Sequence, residues 1–163
     1  MSRLMEHFNY LHTIPERGME EVKTSAYLAD CLEKAGYAVE RHVGGKTGVV
    51  GVWDSGVPGP VLGLRADMDA LTHVIDGVRC ARHTCGHDGH SSMVLTAAEE
   101  AKEQGLVKKG KLKILFQPAE ELSTGAPSMI EGGAIDDIDI LIGAHIQPAA
   151  NVPTGCITPA MYH

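Results

Sequence analysis

The sequence predicts an α/β fold, with a central, mostly parallel and possibly mixed sheet that carries helices on both faces. Apolar segments of strand length alternate along the chain with helical patterns, which is the arrangement found in βαβ units. The chain has 163 residues, of which 44% are hydrophobic. That content is enough to form a buried core and is not typical of a disordered chain. We therefore expect about one domain.

The order of these segments supports the assignment. An apolar stripe of period 3.6 with a glycine just beyond it indicates a helix over 19–35, and shorter helices are expected over 2–12 and 126–131. A fourth helix is expected to begin near residue 88 or 90 and to end at Gly105. Strands are predicted over 37–43, 48–53, 61–65, 111–117 and 138–144. The first two strands are able to form a hairpin edge, which would make the sheet mixed.

Charge and composition exclude several classes of protein. The formal net charge is −7 and there is no run of lysine or arginine, which argues against nucleic-acid and anionic-membrane surfaces. No apolar stretch approaches the length of a membrane span, and the N-terminal residues lack the apolar segment of a signal peptide. We therefore expect a cytoplasmic protein. In that setting the four cysteines are expected to be thiols or metal ligands.

Polar residues follow three of the predicted strands. Asp67 and Asp69 come after the third strand, Glu120 and Glu121 after the fourth, and His145 after the last. In open α/β sheets, ligands bind in the crevice beyond the carboxyl ends of the strands. The sequence therefore predicts that these carboxylates and this imidazole meet at one edge of the sheet.

The segment Cys85-Gly86-His87 has the spacing of a pair of metal ligands. Gly86 allows the backbone to bend so that both side chains reach one ion. Thiolate and imidazole together suit zinc, manganese or cobalt. His83 and His90 flank the segment, and either could replace His87 as ligand. The alternative for an isolated pair of this kind is a free thiol beside a surface histidine.

The other polar residues also have two interpretations. Because neighbouring residues in an extended chain point in opposite directions, one residue of the Glu120–Glu121 pair could bind metal while the other transfers a proton; alternatively, the pair is a solvated acidic loop. His145 is a candidate ligand or a hydrogen-bonded core histidine. Asp67 and Asp69 could orient a ligand, or form a helix cap or a turn. Four histidines are interpreted as ordinary surface or packing residues: His7, His12, His42 and His163.

Taken together, the motifs resemble a known family. The matching segments are HTIPERGMEEVKTSAYLADCLEKAGY, TGVVGVW, LRADMDAL, TCGHDGH, ILFQPAEE, GAPSMIEGGA and GAHIQP, in the family's order and over nearly the whole chain. They resemble the amidohydrolase branch of the zinc-dependent aminoacylase and carboxypeptidase superfamily. That branch includes hippurate hydrolases, indole-acetyl-amino-acid hydrolases and N-acetyl-diaminopimelate deacetylases. The pairing of TCGHDGH with a downstream FQPAEE is the specific part of the match.

The resemblance implies roles for individual residues. It implies two divalent metal ions (zinc, manganese or cobalt) and hydrolysis of the amide bond of N-acyl amino acids or related small amides. Glu120 would be the general base, and Asp69 is the best match to a supporting residue of the catalytic machinery. Four residues match the family's metal ligands: Cys85, His87, Glu121 and His145.

The resemblance also implies that residues 1–163 are the N-terminal part of a longer catalytic domain. The family's subunit is roughly twice this length. An inserted dimerisation domain, the rest of the catalytic domain and a further metal-binding histidine would lie beyond His163, and the full-length form is expected to be a homodimer. One alternative is a truncated, non-catalytic metal-binding paralogue. Another is a structural domain with a Cys80–Cys85 disulfide. A base deaminase is disfavoured because its HxE and PCxxC elements are absent.

Overall fold

A computed structural model of the chain describes residues 2–146 and 153–156. The described helices are α1 (Arg3–His12), α2 (Val22–Lys34), α3 (His87–Glu103) and α4 (Gly125–Glu131). The described strands are β1 (Ala38–Val43), β2 (Gly48–Asp54), β3 (Val61–Asp67), β4 (Leu71–Ile75), β5 (Val78–Arg82), β6 (Lys111–Gln117) and β7 (Ile140–Gly143). None of the described helices combines the length and the apolarity that a membrane crossing requires. His163 lies outside the described residues.

Five of these strands form one mixed sheet in the order β1-β2-β6-β3-β7. β1 pairs antiparallel with β2, and β2 pairs antiparallel with β6. β3 pairs parallel with β6 on one side and with β7 on the other. The predicted α/β class is confirmed, and the mixed sheet is the form observed. The β1–β2 hairpin forms the antiparallel edge, so the three parallel strands end side by side.

The main core lies between one face of the sheet and helices α1, α2 and α3. Alternation along β6 directs Leu112, Ile114 and Phe116 to this face, where they pack with Leu28 of α2 and Leu95 of α3. These five side chains are 0–2% exposed. A buried leucine contributes roughly 1.5–3 kcal/mol relative to an exposed one, so this cluster is a main source of stability. It fixes α3 against the sheet.

A smaller cluster covers the opposite face. Val50 of β2 and Leu115 of β6 point to this side and pack with Met129 of α4 and with Ala134. Helices therefore lie on both faces, as predicted. Lys113 also points to this side, where its ammonium group is 2.6 Å from the Asp137 carboxylate. The second face is thus covered by one short helix and the turn that follows it.

Helix α2 begins three residues later than the sequence pattern predicts. Met19 has a positive φ of 65°, which a helix does not accommodate. The helix begins instead at Val22, where the Glu16 carboxylate accepts hydrogen bonds from the backbone nitrogens of Lys23 and Thr24 at 3.1 and 2.9 Å. A carboxylate at this position satisfies free N–H groups and interacts favourably with the helix dipole. The cap comes from a residue outside the usual capping position.

The β4–β5 hairpin was not predicted from the sequence. Its strands pair antiparallel across a turn in which Asp76 and Gly77 have φ values of 51° and 78°. Positive φ at both central residues is the geometry of a type I′ turn, for which Asp-Gly is a favoured pair. The Asp-Gly pair between alternating residues was therefore an available signal. The hairpin connects the end of β3 to the segment that carries Cys85. All four cysteines are free thiols, as expected.

Candidate metal centre

The polar residues that follow the parallel strands lie together at the carboxyl edge of the sheet. Asp67 is the last residue of β3, Glu120 and Glu121 lie in the turn after β6, and His145 follows β7. Helix α3 begins at this edge, so its first residue, His87, lies among them. The structure therefore brings together the residues that the strand pattern placed at this edge.

His87 occupies the centre of the cluster. Its side chain is fully buried, and its Nδ1 donates to Oδ1 of Asp69 at 3.1 Å. Its Nε2 has no hydrogen-bond partner among the described residues, and neither does the buried Oε1 of Glu121, which lies 3.7 Å away. Buried polar atoms are normally paired, so two such atoms facing each other need an explanation. A cation between a neutral imidazole nitrogen and a carboxylate oxygen would satisfy both.

Cys85 completes a set of three with these two residues. One ligand atom each from Cys85, His87 and Glu121 lie within 4.8 Å of one another. Burial raises the pKa of the Cys85 thiol to about 12, with further contributions from Glu121 and Glu120. Without a cation the sulfur therefore keeps its proton among carboxylates. A divalent metal ion reverses this balance because it stabilises the thiolate.

His145 lies next to the Cys85 sulfur. Its Nε2 is 3.5 Å from Sγ of Cys85, and its Nδ1 donates to the carbonyl oxygen of Ile146 at 2.6 Å. Metal-binding histidines characteristically donate their second N–H group to a carboxylate or a carbonyl. Both His87 and His145 meet that description. Cys85 thus lies close to both imidazoles: Nε2 of His87 has no hydrogen-bond partner among the described residues, and Nε2 of His145 contacts the Cys85 sulfur.

Asp69 joins the two arms of the cluster. It is 1% exposed, and while its Oδ1 accepts from His87, its Oδ2 accepts from the backbone nitrogen of Glu121 at 3.1 Å. Hydrogen-bond donors of the protein therefore engage both carboxylate oxygens. The resemblance suggested a supporting residue at this position. Asp69 therefore links His87 to the backbone of Glu121.

Asp67 has a larger part in the cluster than the sequence indicated. Its Oδ1 is 2.7 Å from Nδ1 of His90 and its Oδ2 is 2.8 Å from Arg65. Burial alone would raise the pKa of Asp67, but the hydrogen bond from His90 and the charges of Arg65 and His87 lower it overall. Asp67 is therefore an anion. One ligand atom each from Asp67, His87, His90 and His145 also lie within 4.8 Å of one another.

Glu120 lies at the solvent-facing rim. Its side chain is 40% exposed, and its Oε2 is 3.9 Å from Nε2 of His87. The residue before it, Ala119, has a positive φ of 48°. Both glutamates approach Nε2 of His87, and Glu121 is the more buried of the pair at 24% exposed. A carboxylate in this position reaches both the centre and water.

The comparison with known families identifies the chain. Residues 63–159 match the family described as Peptidase family M20/M25/M40. This chain belongs to peptidase family M20. The match spans more than half of the sequence and includes every residue of the cluster described above.

Relatives of this M20 chain carry hydrolase names. N-acetyl-L-cysteine deacetylase of Bacillus subtilis is 41% identical over 89% of this chain and 36% of its own length. Hippurate hydrolase of Campylobacter jejuni is 41% identical over 85% of this chain and 38% of its own length. A solved Bacillus subtilis structure, described as a dinuclear metal-binding peptidase from the M20 family, superposes with a TM-score of 0.80 at 31% identity over 90% of this chain and 43% of that one. The M20 chain thus spans well under half the length of these relatives.

The donor set of the M20 chain fits divalent metal ions. Thiolate, imidazole and carboxylate groups suit zinc and neighbouring transition metals. Ligand atoms of Cys85, His87 and Glu121 lie together, and the sulfur of Cys85 also contacts Nε2 of His145. The two unpartnered atoms, His87 Nε2 and Glu121 Oε1, give the independent support for a cation. The residues therefore fit the group that the family implies.

Sequence reasoning missed several residues that support this centre. Glu21 is fully buried, and its Oε1 accepts from the backbone nitrogen of Ala119 at 2.8 Å. Arg65 bonds Gln117 at 2.7 Å as well as Asp67, which ties the ends of β6 and β3 together. In the sequence, Arg65 was recognisable only as part of a predicted strand. A buried acid such as Glu21 leaves no periodic signal, since its partners are distant in sequence.

One histidine that was interpreted as an ordinary surface or packing residue also contacts the region of the centre. His12 is exposed, and its Nδ1 lies 2.7 Å from the buried carboxylate of Asp88, the residue after His87. It lines a cleft of about 290 Å³ beside Cys85, together with Phe8, His83, Thr84, Gly86, Asp88 and Ile146. Both ring nitrogens of His83 are buried without a partner among the described residues, but His83 belongs to neither group of candidate ligands. The geometry therefore favours His87 over His83 at the centre.

Proposed function

We propose that this chain forms the metal-binding part of a hydrolase that cleaves the amide bond of N-acyl amino acids or related small amides. The observation that carries the proposal is the pair of buried, unpartnered atoms, His87 Nε2 and Glu121 Oε1, 3.7 Å apart beside Cys85. Buried polar atoms are normally paired, and a cation between these two atoms would pair both. A metal centre explains them.

The proposed ligands are the four residues that the family pattern suggested, and their geometry supports that assignment: Cys85, His87, Glu121 and His145. When bound, divalent ions at such a centre lower the pKa of water and polarise a carbonyl group. Asp69 holds His87 and Glu121 in place through its two oxygens. Asp69 is thus proposed to act through the ligands.

Glu120 is proposed as the general base. Its carboxylate borders the centre, yet 40% of the side chain is exposed, so it is accessible to a water molecule and to substrate. It would take a proton from water and pass the proton to the leaving amine. Glu121, which is more buried and opposes His87 Nε2, is the better placed of the two to bind metal.

The substrate class comes from the relatives. One is named an N-acetyl-L-cysteine deacetylase and another a hippurate hydrolase. We propose that this protein, like these relatives, hydrolyses an N-acyl amino acid. We likewise propose that the metal ions are zinc, manganese or cobalt, that the longer protein is a homodimer and that it is cytoplasmic. These proposals rest on the sequence and the resemblance.

The test uses the intact protein that contains this sequence. We expect elemental analysis to find bound divalent metal and a panel of N-acyl amino acids to be hydrolysed. Cys85→Ser and His87→Ala should each lose metal, while Glu120→Gln should keep metal and lose turnover by ~10²-fold or more. Glu131→Gln, an exposed glutamate on α4, serves as the matched control and should change neither. Unchanged metal content in both ligand variants would overturn the metal centre, and unchanged turnover in Glu120→Gln would overturn the base.

A further inference from the structure

Three histidines of the centre use their ring nitrogens differently. His87 and His145 each donate from Nδ1, to Asp69 and to the Ile146 carbonyl respectively, so that Nε2 of each ring carries a lone pair that can bind a metal; Nε2 of His145 contacts the sulfur of the proposed ligand Cys85. His90 also donates from Nδ1, to Asp67 at 2.7 Å, but its Nε2 is occupied. The backbone N–H of Ile146 donates to it at 2.7 Å. His90 therefore has no free lone pair, although it lies among the candidate ligands.

The bond from Ile146 to His90 fixes the chain beside His145. His90 is 1% exposed and lies on the first turn of α3, which is packed against the sheet. Its ring centroid is 4.2 Å from that of His145. The residue that His90 holds is thus the immediate neighbour of a proposed ligand. Holding the Ile146 nitrogen fixes the direction in which the chain leaves β7.

The Ile146 side chain gives an independent indication that this segment is docked. It packs over the turn between Cys85 and α3, where a Cβ added to Gly86 would collide with its Cδ1 and a Cβ added to Gly89 would lie 3.5 Å from the same atom. Gly86 also has a φ of 87°, which favours glycine. Backbone and side chain of Ile146 are therefore both seated on the segment that carries Cys85 and His87.

Asp67 fixes the other end of the connection. Its Oδ1 accepts from His90 while its Oδ2 accepts from Arg65, which in turn bonds Gln117 at the end of β6. This arrangement sets the tautomer of His90, because Nδ1 must carry the proton and Nε2 must accept. A continuous set of hydrogen bonds thus runs from the end of β6 to the backbone beside His145.

We propose that His90 is a positioning residue, which holds the Ile146 amide so that Nε2 of His145 faces Cys85, and that it does not bind metal. The inference rests on the proposed function for the identity of His145 as a ligand. The hold on Ile146 itself does not depend on any metal. Positioning groups of this kind typically change metal affinity or activity by ~10–100-fold.

Two substitutions separate holding from ligation. His90→Gln places an amide oxygen near the position of Nε2 and keeps an acceptor for Ile146, whereas His90→Asn keeps a donor for Asp67 but is too short to reach Ile146. We expect His90→Gln to retain most of the metal affinity and His90→Asn to lose ~10–100-fold. His7→Asn is the matched control: His7 is a buried histidine with both nitrogens engaged, by Tyr27 and Glu99, on α1. It should lower stability and leave metal affinity unchanged.

A double-mutant cycle then tests whether His90 acts through His145. The affinity loss caused by His90→Asn should disappear in a His145→Ala background, because there is no longer an imidazole to position. A loss of equal size in both backgrounds would show that His90 contacts the metal directly and would overturn the proposal. Equal losses in His90→Gln and His90→Asn would overturn it as well.

Two measurements keep the proposal testable without relying on metal affinity. In chelator-treated protein, hydrogen exchange of the Ile146 amide should be slow in the wild type and in His90→Gln and fast in His90→Asn; this arm stands even if the protein binds no metal. In unmodified ¹⁵N-labelled protein, added Cd²⁺ should shift Nε2 of His87 and His145 and leave Nε2 of His90 unshifted. Rapid exchange of the Ile146 amide in the wild type, or cadmium coupling to His90, would overturn the assignment.

Discussion

The Glu21 carboxylate lies 2.8 Å from the backbone nitrogen of Ala119 and 2.6 Å from the Thr47 hydroxyl. Both groups donate to it, so a fully buried acid just before α2 holds the turn that precedes Glu120 and Glu121. Ala119 needs this support because its φ of 48° is unfavourable for a residue with a side chain. Glu21 therefore connects the start of α2 to the turn that carries the proposed general base, Glu120.

We predict that Glu21→Ala lowers the free energy of unfolding by roughly 1–3 kcal/mol, since it leaves a buried N–H and a hydroxyl unpaired. Turnover should fall further than metal content, because the turn carrying Glu120 loses its anchor. Glu20→Ala is the control: the neighbouring Glu20 is 60% exposed, and its side chain pairs with Arg17. We expect Glu20→Ala to change the free energy of unfolding and kcat only slightly. Chemical denaturation together with kcat measurement decides, and normal stability in Glu21→Ala would contradict the anchoring role.

Metal binding should depend steeply on pH. The pKa of the Cys85 thiol is raised to about 12 by burial and by the nearby Glu121 and Glu120 carboxylates, so metal must displace its proton at neutral pH. Burial would lower the pKa of His87, but its bond to Asp69 and the Asp67 charge raise the pKa overall, so acid also opposes binding. We expect apparent affinity to rise ~10-fold per pH unit for each proton displaced.

The variant Cys85→Ser should reduce that dependence by one proton, as seen by titration calorimetry in buffers of different ionisation enthalpy. Cys80→Ser, a free thiol on β5, is the control and should keep the wild-type slope. The metal-free protein gives a second check. Because folding raises the thiol pKa, stability linked to Cys85 is present below the ordinary cysteine range and is lost as pH rises towards about 12. A slope identical in Cys85→Ser would argue against thiolate ligation.

Asp69→Asn tests the orientation of two proposed ligands at once. One amide oxygen replaces two carboxylate oxygens, so either Nδ1–H of His87 or N–H of Glu121 must then face an NH₂ group. We expect metal affinity to fall ~10–100-fold with the fold retained. Asp76→Asn, in the β4–β5 turn where asparagine tolerates a positive φ, should change neither property. Chelator competition measures the difference, and unchanged affinity would remove Asp69 from its supporting role.

Gly86→Ala should be more damaging than the same change at Gly45. Both Gly86 and Gly45 have φ near 80°, at 87° and 79°, so alanine costs roughly 1–2 kcal/mol of backbone strain at either. At Gly86 the new methyl group would meet Ile146, whereas no atom of the described residues lies within 4 Å of a Cβ at Gly45. The unfolding temperature and the metal content should therefore fall more in Gly86→Ala than in Gly45→Ala.

Adding Ile146→Ala to Gly86→Ala should recover the part due to the collision and leave the part due to φ. Recovery to the level of Gly45→Ala is the expected result, by the same unfolding measurement. If the two single glycine variants are equally stable, the packing of Ile146 on this turn has no energetic weight.

Local signals in the sequence were enough for most of the secondary structure. The predicted strand 111–117 coincides with β6. The predicted start of a helix near residue 88 or 90 lies within one helical turn of the observed start of α3 at His87. Both predictions succeeded because apolar periodicity is a property of consecutive residues. The start of α2 was misplaced because its cap comes from Glu16, several residues upstream. The β4–β5 hairpin had a local signal in Asp76-Gly77 that the pattern of apolar residues did not reveal.

The sequence by itself determined the α/β class, the edge at which the polar residues meet and the identity of the residues that meet there. These follow from chain order and from the rule that parallel strands end on the same side. Tertiary structure alone decided which histidine nitrogens are free. His87 and His90 are three positions apart on one helix. His87 donates to Asp69 and has no partner for Nε2 among the described residues, whereas Nε2 of His90 accepts from the backbone N–H of Ile146. Hydrogen-bond partners 56 residues apart in sequence are set by packing, and no local pattern encodes them.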